Sequence, residues 1–190
     1  MKRTLEQANL AEEQARQIRT AANWDALSPI DPSEIAKRFG FTVLDSEQAF
    51  KTDPDLIKQL RTISVKTWSG HAIPDLNVIV VNSNQTSERR AATLMEEVAH
   101  LFLKHEPTRL TSDSSVDVGR TLNRDVESDA YWTGAAVLLP SQSLAMAIWH
   151  GHKSAAIASK WGVSEELVEF RAKIWNLWKH LDRSSHDQAA

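Results

Sequence analysis

A chain of 190 residues is long enough to bury one core, and it sets the scale at one domain or a domain with a small appendage. A formal net charge of -3 offers no broad basic field for nucleic acid or an anionic membrane, and the absence of cysteine excludes disulfides and thiolate ligands, so any metal must be held by His, Asp, Glu or backbone oxygen. The basic start Met1-Lys2-Arg3 runs into an acidic amphipathic stretch, not the apolar segment of a secretion signal, and no apolar run is long enough to span a bilayer, so a cytoplasmic protein with no membrane partner is expected.

Leu5, Ala8, Ala11, Ala15, Ile18 and Ala22 recur at helical spacing and predict an amphipathic helix over residues 4–23. Asp31-Pro32-Ser33-Glu34 supplies an N-cap, a first-turn proline and a capping-box carboxylate for a short helix that Gly40 stops. Strands are predicted at Phe41 to Leu44, at Thr62 to Trp68 where polar and apolar residues alternate, and at Leu76 to Val81, with Gly70 to Asp75 closing a hairpin between the last two. A helix then starts near Thr86 or Ser87 and runs to Leu103. Its apolar residues cover more than one face, so it is mostly buried.

Residues 106–123 are rich in Ser, Thr and Asp without a sustained period, which predicts a long loop able to serve as a rim or lid. A second buried helix is expected from about Arg124 until Pro140 ends it, after which Ser141 caps a helix reaching Trp149. Ser154 to Trp178 reads as two helices broken at Gly162, with Ser164 capping the second. Trp149, Trp161, Trp175 and Trp178 fall at spacings that assign them to helix packing, and the tail after Leu181 is polar and frayed. The elements predict an α+β fold: a small, mainly antiparallel sheet on a helical core, with a helix-turn-helix-like packing unit at the carboxyl-terminal end. It divides into an N-terminal helical segment (1–28), the main domain (29–181) and a polar tail (182–190).

Glu96 and His100 lie four apart on the central helix, project from one face and can grip one ion, while Glu97 is turned aside yet able to reach a water on an open metal position. Metal-assisted hydrolysis needs this layout: the metal polarises a carbonyl, and a nearby carboxylate takes a proton and later passes it to the leaving amine. A Glu-Glu-x-x-His string alone is most often a charged stripe on a solvated helix. Here it lies among Leu94, Met95, Val98, Ala99, Leu101 and Phe102, so some of its polar groups enter an apolar interior, where unpaired carboxylates are costly. His105 is rotated by about 140° from His100 on an ideal helix, which makes it a poor co-ligand and a support for a ligand or the helix end. Tyr131 and Arg124 flank Glu127 and are candidates for donating to the negative charge that develops on a substrate oxygen. Ile157 to Val168 has the pattern of a helix-turn-helix, but its second helix opens with Glu165, Glu166 and Glu169, which phosphates repel. The unit is expected to pack, not to bind DNA directly.

The stretch from Thr93 to His105, Thr-Leu-Met-Glu-Glu-Val-Ala-His-Leu-Phe-Leu-Lys-His, resembles the zinc helix of the ImmA/IrrE family of metallopeptidases, which usually shows His-Glu-x-x-His there. Glu127-Ser128-Asp129-Ala130, followed by Leu138-Leu139-Pro140, is similar to the family's Glu-x-x-Ala helix with its Leu-Leu-x-Pro-like end, and the resemblance covers about Ile30 to Arg171. It implies a metal site of Glu96, His100 and Glu127, with Glu97 as general base, and intracellular proteolysis of a protein substrate. That substrate is often a helix-turn-helix repressor or regulator in phage, mobile-element, stress or toxin-antitoxin settings. The sequence departs from the family where Glu96 replaces the first His. Two carboxylates cancel the formal charge of a divalent ion, weaken its Lewis acidity and open a zinc site to a harder ion such as manganese. The alternative reading is a metal-free pseudopeptidase, or a DNA-associated regulator, that acts by binding a partner protein.

Overall fold

The computed structural model describes residues 4–52, 69–105 and 117–183, and the elements are numbered over these. The strand expected at Thr62 to Trp68, residues 106–116 of the expected loop and the tail from 184 onward lie outside the described residues.

Thr4 opens α1 (Leu5–Ala21) with a capping box, its hydroxyl accepting the Gln7 N–H while the Gln7 side chain accepts the Thr4 N–H. Ala8, Ala11, Ala15 and Ile18 are buried, as their spacing predicts. So is Arg19, which donates to the Val137, Asp25 and Ser28 carbonyls and ties α1 to the end of a later helix. Asp31 caps α2 (Pro32–Arg38) by accepting the Ser33 and Glu34 N–H groups, and Gly40 takes φ +86° where the chain leaves the helix.

Next come β1 (Thr42–Asp45), α3 (Ser46–Thr52), β2 (Gly70–Ile73) and β3 (Val78–Val81), arranged in the order β1-β3-β2. The α+β class is as predicted, but the sheet is mixed. β2 runs antiparallel to β3 with Gly70 opposite Val81, whereas β1 is parallel to β3 with Thr42 opposite Val78, reached by a crossover that includes α3. The hairpin also closes later than predicted. Gly70 to Ile73 is itself a strand, and the turn is a 3-10 stretch, Pro74–Leu76, followed by Asn77 in the left-handed region at φ 51°. Proline fixes the first dihedral of that turn and asparagine tolerates the last.

Thr86 caps α4 (Ser87–Phe102), whose buried residues Leu94, Met95, Val98 and Ala99 insert between the sheet and α5 (Asp117–Leu138). α5 begins seven residues before Arg124, the expected start. Val118, Leu122, Val126 and Ala130 recur every four residues, a helical period that the polar composition upstream conceals.

The remaining helices are α6 (Ser141–Trp149), α7 (Ser154–Trp161), α8 (Glu165–Ile174) and α9 (Trp178–Arg183). Gly162 breaks α7 from α8 at φ +62°, and the Ser164 side chain accepts the Leu167 N–H. At α6 the cap differs from the prediction: Pro140 is the N-cap residue, and the Ser141 N–H donates instead to the Glu12 carboxylate of α1, 3.3 Å away. The tryptophans divide. Trp161 is core, whereas Trp149 is 73% and Trp178 41% exposed, so helical spacing alone does not bury them. Ile157, Trp161, Val163, Leu167 and Val168 anchor the α7–α8 unit in the core, and Glu165, Glu166 and Glu169 face outward. Among the described residues no helix is long and apolar enough to cross a membrane.

Candidate metal centre

Two glycines set the site. Gly134 of α5 lies against α4 so closely that a Cβ there would stand 2.9 Å from the backbone of Met95 and Glu96. Glu127 is seven residues, two helical turns, before Gly134 and therefore shares its face, so the side of α5 that packs on α4 also carries Glu127, which meets His100 there. A Cβ on Gly70 would stand 2.4 Å from Thr93 Cγ2, so glycine is what lets β2 lie across α4 beside Glu97. Local sequence shows neither contact, because both partners come from distant segments.

The result is a cluster in which one ligand atom each from Glu96, His100 and Glu127 lies within 4.8 Å of the others, with His100 Nε2 3.6 Å from Glu127 Oε2. Glu97 stands beside this cluster and accepts the Ala72 backbone N–H of β2 at 2.9 Å. Tyr131 is near enough to Glu96 and Arg89 for their charges to act on it, and its ring tilts against Phe170 at 5.3 Å. Arg124 stands one turn before Glu127 with its side chain exposed. Arg89 is not among the site residues expected from the sequence. It lies seven residues before Glu96 on the same helix, and its charge acts on Glu96.

The electrostatics follow from crowding anions in a partly dry place. Burial, with the charges of Glu97 and Glu127, pushes the Glu96 carboxyl up to about 7, against the opposing pull of His100 and Arg89. Burial also raises Glu97, while His100 and the Ala72 hydrogen bond pull the other way. Burial works against a charged His100, but Glu127, Glu97 and Glu96 outweigh it and raise the imidazole. Burial raises Tyr131 and Glu96 adds to it. A divalent cation fits this donor set: it takes oxygen and nitrogen ligands at about 2 Å, and its charge offsets the burial, and with it the mutual repulsion, that push the carboxyls toward neutrality.

His105 is not where a helical wheel puts it. α4 ends at Phe102, Lys104 adopts a left-handed φ of 55°, and the His105 N–H returns to the His100 carbonyl at 3.0 Å. This turn swings the His105 ring back to His100, with 3.1 Å between their Nδ1 atoms. The support role expected for His105 thus has a geometric basis.

The sequence matches, over residues 58–173, the model of a peptidase family described as the IrrE N-terminal-like domain. Comparison with curated proteins gives no match. Among solved structures the fold is similar to that of a Mycobacterium tuberculosis transcriptional regulator, with a TM-score of 0.61 and 16% sequence identity, covering 88% of this chain and 49% of that one. The chain spans about half the length of that regulator, and at this identity the likeness is one of fold.

Proposed function

The chain belongs to the peptidase family of IrrE N-terminal-like domains, and on that premise we propose that it is a metal-dependent endopeptidase holding one divalent ion between Glu96, His100 and Glu127. The observation that supports this reading is the convergence of three ligand atoms from two helices, beside a fourth carboxylate that stays out of the cluster. When bound, the ion supplies Lewis acidity to a scissile carbonyl and acidifies a water. Glu97, held by the Ala72 N–H and raised by burial, is the residue that would take a proton from an attacking water and pass it to the leaving amine. Tyr131 and Arg124 are the proposed donors to the negative charge that develops on the substrate oxygen. Zinc is the proposed ion, and because two of the three ligands are carboxylates, manganese is its natural competitor.

The proposed substrate is a protein, a helix-turn-helix regulator, and the regulator-like fold suits such a setting. A cysteine-free chain whose metal rests on oxygen and nitrogen suits the reducing cytoplasm. Direct DNA binding is not proposed, since the acidic start of α8 is exposed. The second reading is a metal-free pseudopeptidase that binds a partner, and what favours it is Glu96 standing where the family usually has its first His. Cleavage assays on a panel of helix-turn-helix regulators, with zinc or manganese added, separate the readings. Metal-dependent cleavage reduced by about a hundredfold or more in Glu97→Gln is expected. Cleavage indifferent to both chelator and Glu97→Gln would sink the endopeptidase.

A further inference from the structure

We propose that His105 and Asp129 act as a positioning pair that decides which nitrogen of His100 faces the ion; this rests on the metal site proposed above. His100 Nε2 faces Glu127, so Nε2 is its ligand atom and Nδ1 is left to find another partner. That partner is His105 Nδ1 at 3.1 Å, with the two rings edge to face at 73°. Between two ring nitrogens at this distance one donates and the other accepts. The choice is made at the far side of His105, where Nε2 lies 3.6 Å from Asp129 Oδ2. An ionised carboxylate only accepts, so it draws the His105 proton to Nε2 and leaves Nδ1 with a lone pair. His100 therefore donates its Nδ1–H to His105, and its Nε2 lone pair points at the ion.

Both imidazoles are largely shielded, His100 at 17% and His105 at 14% side-chain exposure, so water competes weakly for these nitrogens. The local structure is built for the contact. The left-handed turn at Lys104 brings His105 back to His100, and α5 carries Asp129 two residues after the ligand Glu127. One helix thus presents a ligand to the ion and, through His105, orients a second ligand on its neighbour. Without the acceptor at His105, the His100 ring is free to rotate or to place its proton on Nε2, and the ion loses affinity.

The test is competitive titration of zinc alone against a chromogenic chelator, together with nitrogen-15 spectra of the imidazoles in the zinc-loaded protein. His105→Phe should weaken zinc binding by about ten- to a hundredfold. His105→Asn, whose amide oxygen can stand where Nδ1 stood, should recover most of it. Asp129→Ala should weaken binding in the parent and add little in the His105→Phe background, because the two act in series. The spectra, which need no variant, should show His100 protonated on Nδ1 and His105 on Nε2. Parent affinity in His105→Phe, equal losses in the Phe and Asn variants, or the opposite tautomers would overturn the pair while His100→Ala still abolished binding. A parent that bound no zinc, or bound it regardless of His100→Ala, would overturn the metal site and the pair with it.

Discussion

Gly134 packs directly on the backbone of Glu96, so the spacing of α4 and α5 and the position of a candidate metal ligand are set by one missing side chain. Gly134→Ala would put a methyl group 2.9 Å from main-chain atoms of Met95 and Glu96, which cannot swing aside as a side-chain tip can. The helices must part and Glu127 must retreat from His100. We expect a loss of about 1–3 kcal/mol in denaturant unfolding, together with weakened zinc binding. Unchanged values for both would mean that the close approach does not position the site.

The metal-free protein should be more stable in mild acid than at pH 8. The folded Glu96 titrates at about 7 against an ordinary value of 4.5, so between these values the folded state keeps a proton that the unfolded chain has lost. Its contribution is fully present below about 4.5 and is lost as pH rises through 7. Glu97 shifts in the same direction, and the raised His100 likewise favours the protonated folded state. The Glu96 share is roughly 1–3 kcal/mol. Zinc needs deprotonated ligands, so its stabilisation should grow across the same range. Thermal scans from pH 5 to 8, with chelator and with zinc, check both slopes; a flat curve in chelator would contradict a raised Glu96 carboxyl.

Glu12 is expected to be the costliest carboxylate to remove. It pairs with the fully buried Arg171 and also accepts the Ser141 N–H at the start of α6, while Arg171 donates to the Leu139 carbonyl at the end of α5. Glu12→Ala strands a buried guanidinium and should cost about 3–5 kcal/mol in urea unfolding. A loss well below 1 kcal/mol would show that the charge escapes to solvent.

What could be read in the sequence was whatever is encoded over a few neighbouring residues. The alanine stripe of α1, the Asp31 and Ser164 caps, the Gly162 break and the Glu96–His100 pair all depend on spacing within one element, and all are found in the structure. What could not be read depends on distant partners or on where a helix stops. A glycine inside α5 looks like a local defect until the α4 backbone is placed against it. The cap of α6 comes from Glu12, 129 residues away, so the task expected of the Ser141 side chain falls to another residue. The 140° wheel angle for His105 fails because α4 ends at Phe102. Trp149 keeps the spacing of a packing residue on α6, yet no neighbouring element covers it among the described residues.

Glu96→His restores the pattern usual at this position in the family and replaces an anionic oxygen with neutral imidazole. This favours zinc over harder ions and leaves the ion more positive. Tighter zinc binding and a weaker preference for manganese are expected, with the gain in rate smaller than the gain in affinity, because a pocket shaped around a carboxylate need not hold the second imidazole nitrogen. Zinc affinity no better than the parent's, in a variant folded by circular dichroism, would mean that position 96 does not face the ion.

Glu96, His100 and Glu127 are proposed to hold one ion together, and zinc titration of the parent beside His100→Ala and Glu127→Ala tests this most directly. The parent should bind one equivalent, and each variant should keep its fold and bind at least about a hundredfold more weakly, since removing one of three protein ligands costs most of the site. A parent that binds no zinc or manganese, or an affinity that survives both substitutions, would contradict the account.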